Sequence, residues 1–380
     1  MELQLSFDQL SLFEIIISSI FFISAIILLG YYIIVFSRLA FYKDTYSKAP
    51  DHQPVSIVIS AHDEDYNLRK NLPIILNQDY PDFEVIVVNH ASTDDTAQLL
   101  YELQLKHSKL KIVNIEQDLN FFKGKKFPLS IGIKSAKNDI LLLTDADCTP
   151  TSNNWITSMA SNYTTKTEVV LGYGPYTHSK GLLNLIIRYD TFIIAMQYFS
   201  FALMGIPYMG VGRNLSYRKS LFLKNKGFIS HYNISSGDDD LFIRQVATRT
   251  NTRIQISEES QMYSPPKHNF GSWFRQKQRH LSTGKSYSFL FKILLGAFSI
   301  SQILFYFSLI ILLVSNVLLI AIIPTLFIYL AIKFFIQKKA SHKLAENQLL
   351  LFSLFGDIFY VLLNTTMTII SIFRKQKSWK

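Results

Sequence analysis

Residues 141–147, Leu-Leu-Leu-Thr-Asp-Ala-Asp, place two carboxylates one residue apart at the end of an apolar run. The run resembles a buried strand, and side chains two positions apart on a strand point to the same side. Asp145 and Asp147 would therefore face one hard divalent cation where the chain leaves the sheet, and such a cation would be able to hold a diphosphate. The alternative is an ordinary polar strand end.

Strand and helix patterns alternate around this stretch. The predicted elements are strands at 55–60, 83–88, 111–114 and 140–144, with helices near 67–78, 93–107 and 128–136. This alternation predicts an α/β fold with right-handed crossovers and a largely parallel sheet, in which ligands bind outside the carboxyl ends of the strands. Three polar clusters lie at those ends, at residues 61–64, 89–94 and 145–147.

Apolar segments flank this central region. Residues 12–36 are long enough to cross a hydrocarbon core of about 30 Å, residues 289–335 would suffice for two spans, and residues 347–373 make a further segment. If all three C-terminal segments cross, the basic tail lies on the side that the positive-inside rule disfavours. Asp357 within the last segment is a second reason to leave the number of C-terminal spans at two or three.

The chain is therefore expected to have three parts: an N-terminal transmembrane helix within 1–40, a central domain at 50–285 and a C-terminal membrane region at 289–373. Residues 182–207 are expected to form an amphipathic helix on the membrane surface. Basic residues beside the spans favour an integral membrane protein with its central domain in the cytoplasm, in the inner or plasma membrane if the source is bacterial.

The charge and cysteine content narrow the function. The formal net charge of +10 lacks the basic and aromatic arrangement of a nucleic-acid module, so it fits an anionic membrane surface and a phosphate-bearing substrate better. Cys148 is the single cysteine, which excludes an intrachain disulfide. It is either a reactive thiol beside the carboxylates or a small buried residue.

Further motifs accompany the Asp-x-Asp pair in a fixed order along the chain. They are residues 60–64 (Ser-Ala-His-Asp-Glu), 77–80 (Asn-Gln-Asp-Tyr), 89–96 (Asn-His-Ala-Ser-Thr-Asp-Asp-Thr), 123–126 (Lys-Gly-Lys-Lys), 210–218 (Gly-Val-Gly-Arg-Asn-Leu-Ser-Tyr-Arg), 236–240 (Ser-Gly-Asp-Asp-Asp) and 276–280 (Gln-Lys-Gln-Arg-His). Together they resemble the motifs of membrane-embedded family-2 glycosyltransferases, which include cellulose, chitin and hyaluronan synthases and ceramide glucosyltransferase. The resemblance covers roughly residues 54–285 and implies a GT-A, Rossmann-like nucleotide-diphospho-sugar transferase domain.

The resemblance also implies a donor site. It places at the nucleotide sugar Ala61, Asp63, Glu64, His90, Lys125 and Asp145, and it assigns Mg²⁺ or Mn²⁺ to Asp145 and Asp147. His90 departs from the family, which has an aspartate there to touch the uracil or ribose, so either the base contact is remade or the nucleotide differs. Lys126 is expected to be part of a solvated basic turn.

The remaining motifs imply a base and an acceptor site. Inverting sugar transfer needs a carboxylate that takes the proton of the acceptor hydroxyl. The spacing to the following leucine and arginine favours Asp238, whereas a Gly-Asp-Asp alignment favours Asp239; Asp238 is preferred. The resemblance assigns to the acceptor and diphosphate Gly212, Asn214, Gln276, Arg279 and His280, although His280 replaces the tryptophan that forms a floor under the acceptor sugar.

These inferences predict an inverting, metal-dependent glycosyltransferase. It would move a sugar from a nucleotide-sugar donor, with a UDP-sugar favoured, to a lipid-linked or polysaccharide acceptor at the membrane. The alternative is a catalytically silent membrane partner or sugar-nucleotide sensor, which His90 and His280 favour. A transporter is a weaker alternative because the informative polar residues lie outside the apolar segments.

Overall fold

The computed structural model describes residues 10–43, 52–116, 124–234 and 236–373. These residues form two compact units. The helical unit combines residues 10–42 with 287–373, and the sheet unit comprises the described part of residues 43–286.

Thirteen α-helices occur in the described ranges. They are α1 (Leu12–Gly30), α2 (Ser37–Ala40), α3 (Asp65–Leu76), α4 (Thr96–Lys106), α5 (Lys126–Ser135), α6 (Trp155–Ala160), α7 (Leu182–Leu203), α8 (Lys219–Lys224), α9 (Asp240–Val246), α10 (Phe270–Thr283), α11 (Phe289–Val314), α12 (Leu319–Lys343) and α13 (Leu349–Phe373). A π-helical stretch, Tyr31–Phe36, joins α1 to α2.

Nine strands occur in the same ranges. They are β1 (Val55–Ala61), β2 (Phe83–His90), β3 (Leu110–Ile115), β4 (Ile140–Asp145), β5 (Thr149–Pro150), β6 (Val169–Gly172), β7 (Leu215–Arg218), β8 (Thr252–Gln255) and β9 (Met262–Tyr263). Seven form one sheet in the order β3-β2-β1-β4-β7-β6-β8, and β5 pairs with β9. The pairs β1–β2, β1–β4, β2–β3 and β6–β8 are parallel, while β7 is antiparallel to both of its neighbours. The predicted α/β fold with a largely parallel sheet is confirmed.

The central strands are apolar because helices cover both faces of the sheet. Ile57, Val58 and Val85 are completely buried, and each buried aliphatic side chain contributes roughly 1.5–3 kcal/mol to folding. Gly132 lets α5 approach closely, since a Cβ atom there would lie 2.6 Å from Val58 Cγ1. The buried aliphatic strands therefore fix the sheet that supports the site.

Strand register brings the three predicted polar clusters to one edge. Ser60 on β1 pairs with Asp145 on β4, and Ala61 pairs with Asn89 on β2. The turns that follow these strands leave the sheet side by side, as expected for the carboxyl ends of adjacent parallel strands.

Among the residues that the structure describes, three helical segments are long and apolar enough to cross a membrane: Leu12–Ala40, Phe289–Val314 and Leu319–Lys343. Within α13, Gly356–Ile370 is a shorter apolar stretch. Large aliphatic and aromatic side chains remain exposed on these helices, as lipid contact would require. The number of C-terminal crossings, two or three, stays a prediction.

Helix α7 differs from the expected amphipathic pattern. Only Leu182 is exposed along its length, and Arg188 and Asp190 are both buried. Asp190 is tolerated inside the protein because Lys277 on α10, itself buried, forms an ion pair with it. The predicted location of this helix on a membrane surface stays a prediction.

Candidate active site

The Asp-x-Asp turn begins at the end of β4. Oxygen atoms of Asp145 and Asp147 and the Sγ atom of Cys148 lie within 4.8 Å of one another. The backbone N–H of Cys148 donates to the carbonyl of Asp145 at 3.1 Å, and Asn71 Nδ2 donates to the carbonyl of Ala146 at 3.1 Å. These bonds fix a tight turn, so both carboxylates are aimed into one region.

Two further charged groups lie beside this turn. Lys125, just before α5, forms an ion pair with Asp145 Oδ1. Glu64 is half-buried, and its burial, opposed by a hydrogen bond from Asn67 and reinforced by the charge of Asp147, raises its pKa. Two of the predicted donor residues, Lys125 and Glu64, therefore lie beside the Asp-x-Asp pair.

The turns after β1 and β2 are tied to each other. Asp63 has a positive φ of 54°, and its Oδ1 accepts a hydrogen bond from the Thr93 N–H at 2.7 Å. That bond is the main reason why the pKa of Asp63 is lowered. The Glu64 N–H donates to Thr96 Oγ1 at 2.9 Å, so the two turns form one rigid surface.

His90 and Ala61 are less accessible than the acids of this surface. Ala61 is 1% exposed and His90 is 9% exposed. The His90 ring lies 5.9 Å from the His62 ring and 6.5 Å from the Phe127 ring, measured between centroids, and the His90 carbonyl contacts His62 Nδ1 at 2.6 Å. A contact from His90 to a nucleotide stays a prediction.

The three consecutive acids at 238–240 have different partners. Asp239 accepts from the Asp240 N–H and the Gly212 N–H, both at 2.8 Å, and thereby caps α9. Burial and the charges of Asp238 and Asp240 raise the pKa of Asp239 to about 7. Asp240 is buried, and its Oδ2 accepts from Thr283 Oγ1 at 2.5 Å.

Asp238 is the open member of this group. Its side chain is partly exposed, and within the ranges that the structure describes no hydrogen bond reaches its carboxylate. Asp238 therefore keeps both oxygens available for a substrate proton, whereas the oxygens of Asp239 already accept backbone bonds.

Lys126 corrects the sequence interpretation. It is 1% exposed, not solvated, and its Nζ donates to the carbonyls of His231 at 2.7 Å and Ile234 at 2.8 Å. Burial lowers the pKa of Lys126 to about 8, although the negative charges of the acids at 238–240 act to raise it. Lys126 braces the segment that leads to Asp238, and its helical spacing from Leu129 and Ile133 is the signal that would have placed it on the buried face of α5.

Asn214 also differs from its predicted role. It is completely buried; its Nδ2 donates to the carbonyls of Tyr173 and Ser260, at 2.8 and 2.7 Å, and its Oδ1 accepts from Trp155 Nε1 at 3.0 Å. With these bonds made, Asn214 anchors the loop rather than reaching an acceptor. Gly212, two residues earlier, acts through its N–H on Asp239.

Arg213, between these two anchors, and Tyr176 were not singled out from the sequence. The Arg213 guanidinium lies 4.3 Å from the centroid of the Tyr176 ring. Gln276 on α10 donates to the Tyr176 hydroxyl at 3.2 Å. The Gln-x-x-Arg motif and the glycine-rich loop therefore meet at Tyr176.

The end of α10 adds two predicted residues. The side chain of His280 is exposed near the end of α10. The Arg279 carbonyl accepts from Ser236 Oγ at 3.4 Å, which brings this end of α10 beside the acids at 238–240.

The mixed sheet with an acidic turn at its carboxyl edge defines a GT-A nucleotide-sugar transferase class of fold. Two family models match the chain: Glycosyl transferase family 2 over residues 56–224 and Glycosyl transferase family group 2 over residues 153–336. Residues 56–336 of the chain therefore carry family-2 glycosyltransferase domains.

Individual relatives support this assignment over part of their length. Poly-beta-1,6-N-acetyl-D-glucosamine synthase from Staphylococcus epidermidis is 30% identical over 112 residues, which cover 30% of this chain and 25% of that protein. Probable glycosyltransferase YdaM from Bacillus subtilis is 37% identical over 98 residues, which cover 25% of this chain and 23% of that protein. The chain thus spans about a quarter of the length of these curated relatives.

A solved structure matches the fold over most of the chain. The mannosyltransferase PcManGT from Pyrobaculum calidifontis, in complex with GDP-Man and Mn²⁺, has a TM-score of 0.58 and 18% identity. The match covers 89% of this chain and 99% of that one.

Proposed function

We propose that the chain is an inverting, metal-dependent glycosyltransferase that passes a sugar from a nucleotide-sugar donor to an acceptor at the membrane. The observation that carries this proposal is the convergence of four motifs in the sheet unit. The Gly212–Asn214 loop contacts Asp239, the neighbour of the open Asp238, through a hydrogen bond, and it meets Gln276 of α10 at Tyr176. The charge of Asp147 in the acidic turn acts on Arg213 of the same loop.

The donor set fits a hard divalent cation. Asp145 and Asp147 offer carboxylate oxygens close enough for one ion, and Mg²⁺ and Mn²⁺ prefer oxygen ligands. Cys148 is a poor partner for such an ion, because burial raises the pKa of its thiol. When bound, the cation would act as a Lewis acid on the diphosphate leaving group.

The protein's own residues would supply the remaining steps. Lys125 and Arg279 would stabilise phosphate charge, with the Arg279 guanidinium offering a planar fork of donors. Asp238 would take the proton of the acceptor hydroxyl. The hydroxyl oxygen of the acceptor would at the same time bond to the anomeric carbon from the side opposite the diphosphate, which leaves with the nucleoside. Asp239 would hold Gly212 and the start of α9 so that Asp238 keeps its position. Fixing donor and acceptor together lowers the entropic part of the barrier.

Substrates and topology complete the proposal. We propose a UDP-sugar as the donor. A relative named poly-beta-1,6-N-acetyl-D-glucosamine synthase supports a polysaccharide acceptor, and a lipid-linked acceptor is the second candidate. We propose the domain boundaries 1–40, 50–285 and 289–373, with the transferase domain facing the cytoplasm. The three apolar helical segments support an integral membrane protein.

A donor-turnover assay tests this proposal. The full-length protein in nanodiscs is incubated with UDP- and GDP-sugars with and without Mn²⁺, nucleoside diphosphate release is measured, and the anomeric configuration of the product is determined by NMR. We expect Mn²⁺-dependent release with inversion, abolished by Asp145→Asn and retained in Asp82→Asn, a control at an exposed aspartate. Binding of a nucleotide sugar without release of a nucleoside diphosphate would support the catalytically silent sensor. That alternative is favoured by His90 and His280, which replace the aspartate and tryptophan of the family motifs.

A further inference from the structure

Arg213 has a donor atom without a protein partner. Its Nη1 atom is buried, and in the part of the chain that the structure describes it makes no hydrogen bond. Buried polar atoms are almost always hydrogen-bonded, and an unpaired one costs about 1–3 kcal/mol, more when it is charged. A buried guanidinium nitrogen without a hydrogen-bond partner therefore points to a bound group that accepts a hydrogen bond from it.

The protein holds this guanidinium in one place. The neighbouring residues on both sides are anchored, Gly212 through Asp239 and Asn214 in the protein interior. The guanidinium stacks on Tyr176. Gly174 leaves room for it, because a Cβ atom at that position would lie 3.2 Å from Arg213 Nε. Such preorganisation reduces the entropy lost on binding.

The backbone connects this position to the Asp-x-Asp turn. Tyr176 bridges to Ser264, and the preceding residue, Tyr263, pairs with Thr149. Thr149 follows Asp147 by two residues. Tyr176, on which the guanidinium stacks, is therefore connected through the β5–β9 pair to the turn that carries the carboxylates, and the charge of Asp147 acts on Arg213.

We propose that Arg213 binds phosphoryl oxygens of the substrate beside the Asp145–Asp147 pair. The planar fork of N–H donors matches the oxygens of a phosphate or diphosphate. The inference rests on the proposed function and adds a phosphoryl-binding residue to it. Two substrates carry such phosphoryl oxygens: the nucleotide-sugar donor, in its diphosphate, and a lipid-linked acceptor, in its phosphate.

Binding titrations of the full chain distinguish these sources. UDP, GDP and uridine are titrated in the presence of Mn²⁺, and a short polyprenyl phosphate is titrated separately, into wild type, Arg213→Met and Arg213→Lys. If the group belongs to the donor, Arg213→Met weakens UDP or GDP binding by about 10- to 100-fold and leaves uridine unchanged, because only the charge-assisted bonds are lost. If it belongs to the acceptor, only polyprenyl phosphate binding falls. The lysine variant retains part of the affinity because its charge is kept.

Two more variants separate local from global effects. Gly174→Ala keeps the guanidinium but forces it to move, so we expect the same ligand to bind more weakly with an unchanged melting temperature. Arg275→Met, at an exposed position of α10, should bind all ligands as wild type does. Unchanged binding of every phosphate ligand to Arg213→Met overturns the inference, even if donor turnover establishes the proposed function. Weaker diphosphate binding by Arg213→Met in a chain that releases no product would uphold the inference and refute the enzyme.

Discussion

One charged cluster in each unit can be compared, and the two differ in whether their hydrogen bonds are satisfied. In the helical unit, Asp357 Oδ2 accepts from Lys333 Nζ at 2.9 Å and from the Tyr306 hydroxyl at 2.7 Å, and Lys333 also donates to the Ser353 carbonyl at 3.1 Å. In the sheet unit, no hydrogen bond from a described residue reaches the Asp238 carboxylate. The first cluster is closed on itself, whereas the second retains binding capacity for a substrate.

The closed cluster also bears on α13. Asp357 was a reason to doubt that its segment spans the membrane, because an unpaired carboxylate is costly in hydrocarbon. The ion pair with Lys333 on α12, at side-chain exposures of 1% and 3%, removes that objection. The Lys333–Asp357 ion pair therefore connects α12 to α13, whereas the Asp238 carboxylate is available to bind a substrate.

The largest effect is expected from the open cluster. Asp238→Asn should lower kcat by about 10²- to 10⁴-fold because it removes the proposed base, with nucleotide affinity and melting temperature unchanged. Transfer kinetics and thermal unfolding of the purified variant check this. Asp239→Asn should lower the melting temperature as well, because Asp239 accepts the Gly212 and Asp240 backbone bonds. A nearly active Asp238→Asn beside an inactive but stable Asp239→Asn would move the base to Asp239.

Breaking the closed cluster should affect stability and not chemistry. Lys333→Met leaves the Asp357 carboxylate buried without its cation, which costs about 3–5 kcal/mol. Thermal unfolding in nanodiscs should show the loss, while turnover per folded molecule stays at the wild-type level. Adding Asp357→Leu should restore much of the stability. A Lys333→Met protein as stable as wild type would show that the pair is not structural.

Lys126 connects the fold to the open cluster, and its loss should have an intermediate effect. Lys126→Met removes the bonds to the His231 and Ile234 carbonyls, so we expect kcat to fall about tenfold as the segment before Asp238 loosens. The pKa of Lys126 is about 8 in the folded protein and 10.5 ordinarily. Between these values the unfolded chain binds the extra proton, so wild-type stability should rise as the pH increases from about 8 to 10.5.

The Lys126→Met variant should lack that rise in pH-dependent unfolding measurements. Lys126→Arg keeps the charge and some of the bonds, so it should recover part of kcat. Equal pH profiles for wild type and Lys126→Met would contradict the buried, braced position of this lysine.

The smallest effect is expected at Cys148. Because the thiol is buried and burial raises its pKa, Cys148→Ala should cost only about 1 kcal/mol of stability, from the lost packing, and should change turnover less than about threefold. Maleimide treatment of the native protein should leave activity intact. If the variant instead lost its Mn²⁺ dependence, Cys148 would be a metal ligand.

Local patterns were sufficient to predict the first half of the sheet. The apolar runs of β1, β2 and β4 lie where the sequence places them, because each is bounded by turn residues and needs no distant partner to be recognised. The meeting of the three polar clusters at one edge follows from parallel strand order alone.

Roles that depend on distant partners were not predictable. Lys126 was interpreted as solvated because its acceptors, His231 and Ile234, lie more than a hundred positions away. Asn214 was assigned to the acceptor, although its bonds to Trp155 and Ser260 remove it from solvent. The burial of Lys126 has a helical signature in its spacing from Leu129 and Ile133, but its acceptors have none. The contacts of Asn214 have none either, because the loop residues involved show no helical or strand period.

Nucleotide binding by the full-length chain tests the central claim most directly. UDP and GDP are titrated calorimetrically with and without Mn²⁺ into wild type, Asp145→Asn and Asp238→Asn. We predict Mn²⁺-dependent diphosphate binding that Asp145→Asn abolishes and Asp238→Asn preserves. Equal binding by wild type and Asp145→Asn, or a loss of binding in Asp238→Asn with its fold intact, would contradict a site in which Asp145 and Asp147 hold the diphosphate through a cation while Asp238 serves the acceptor.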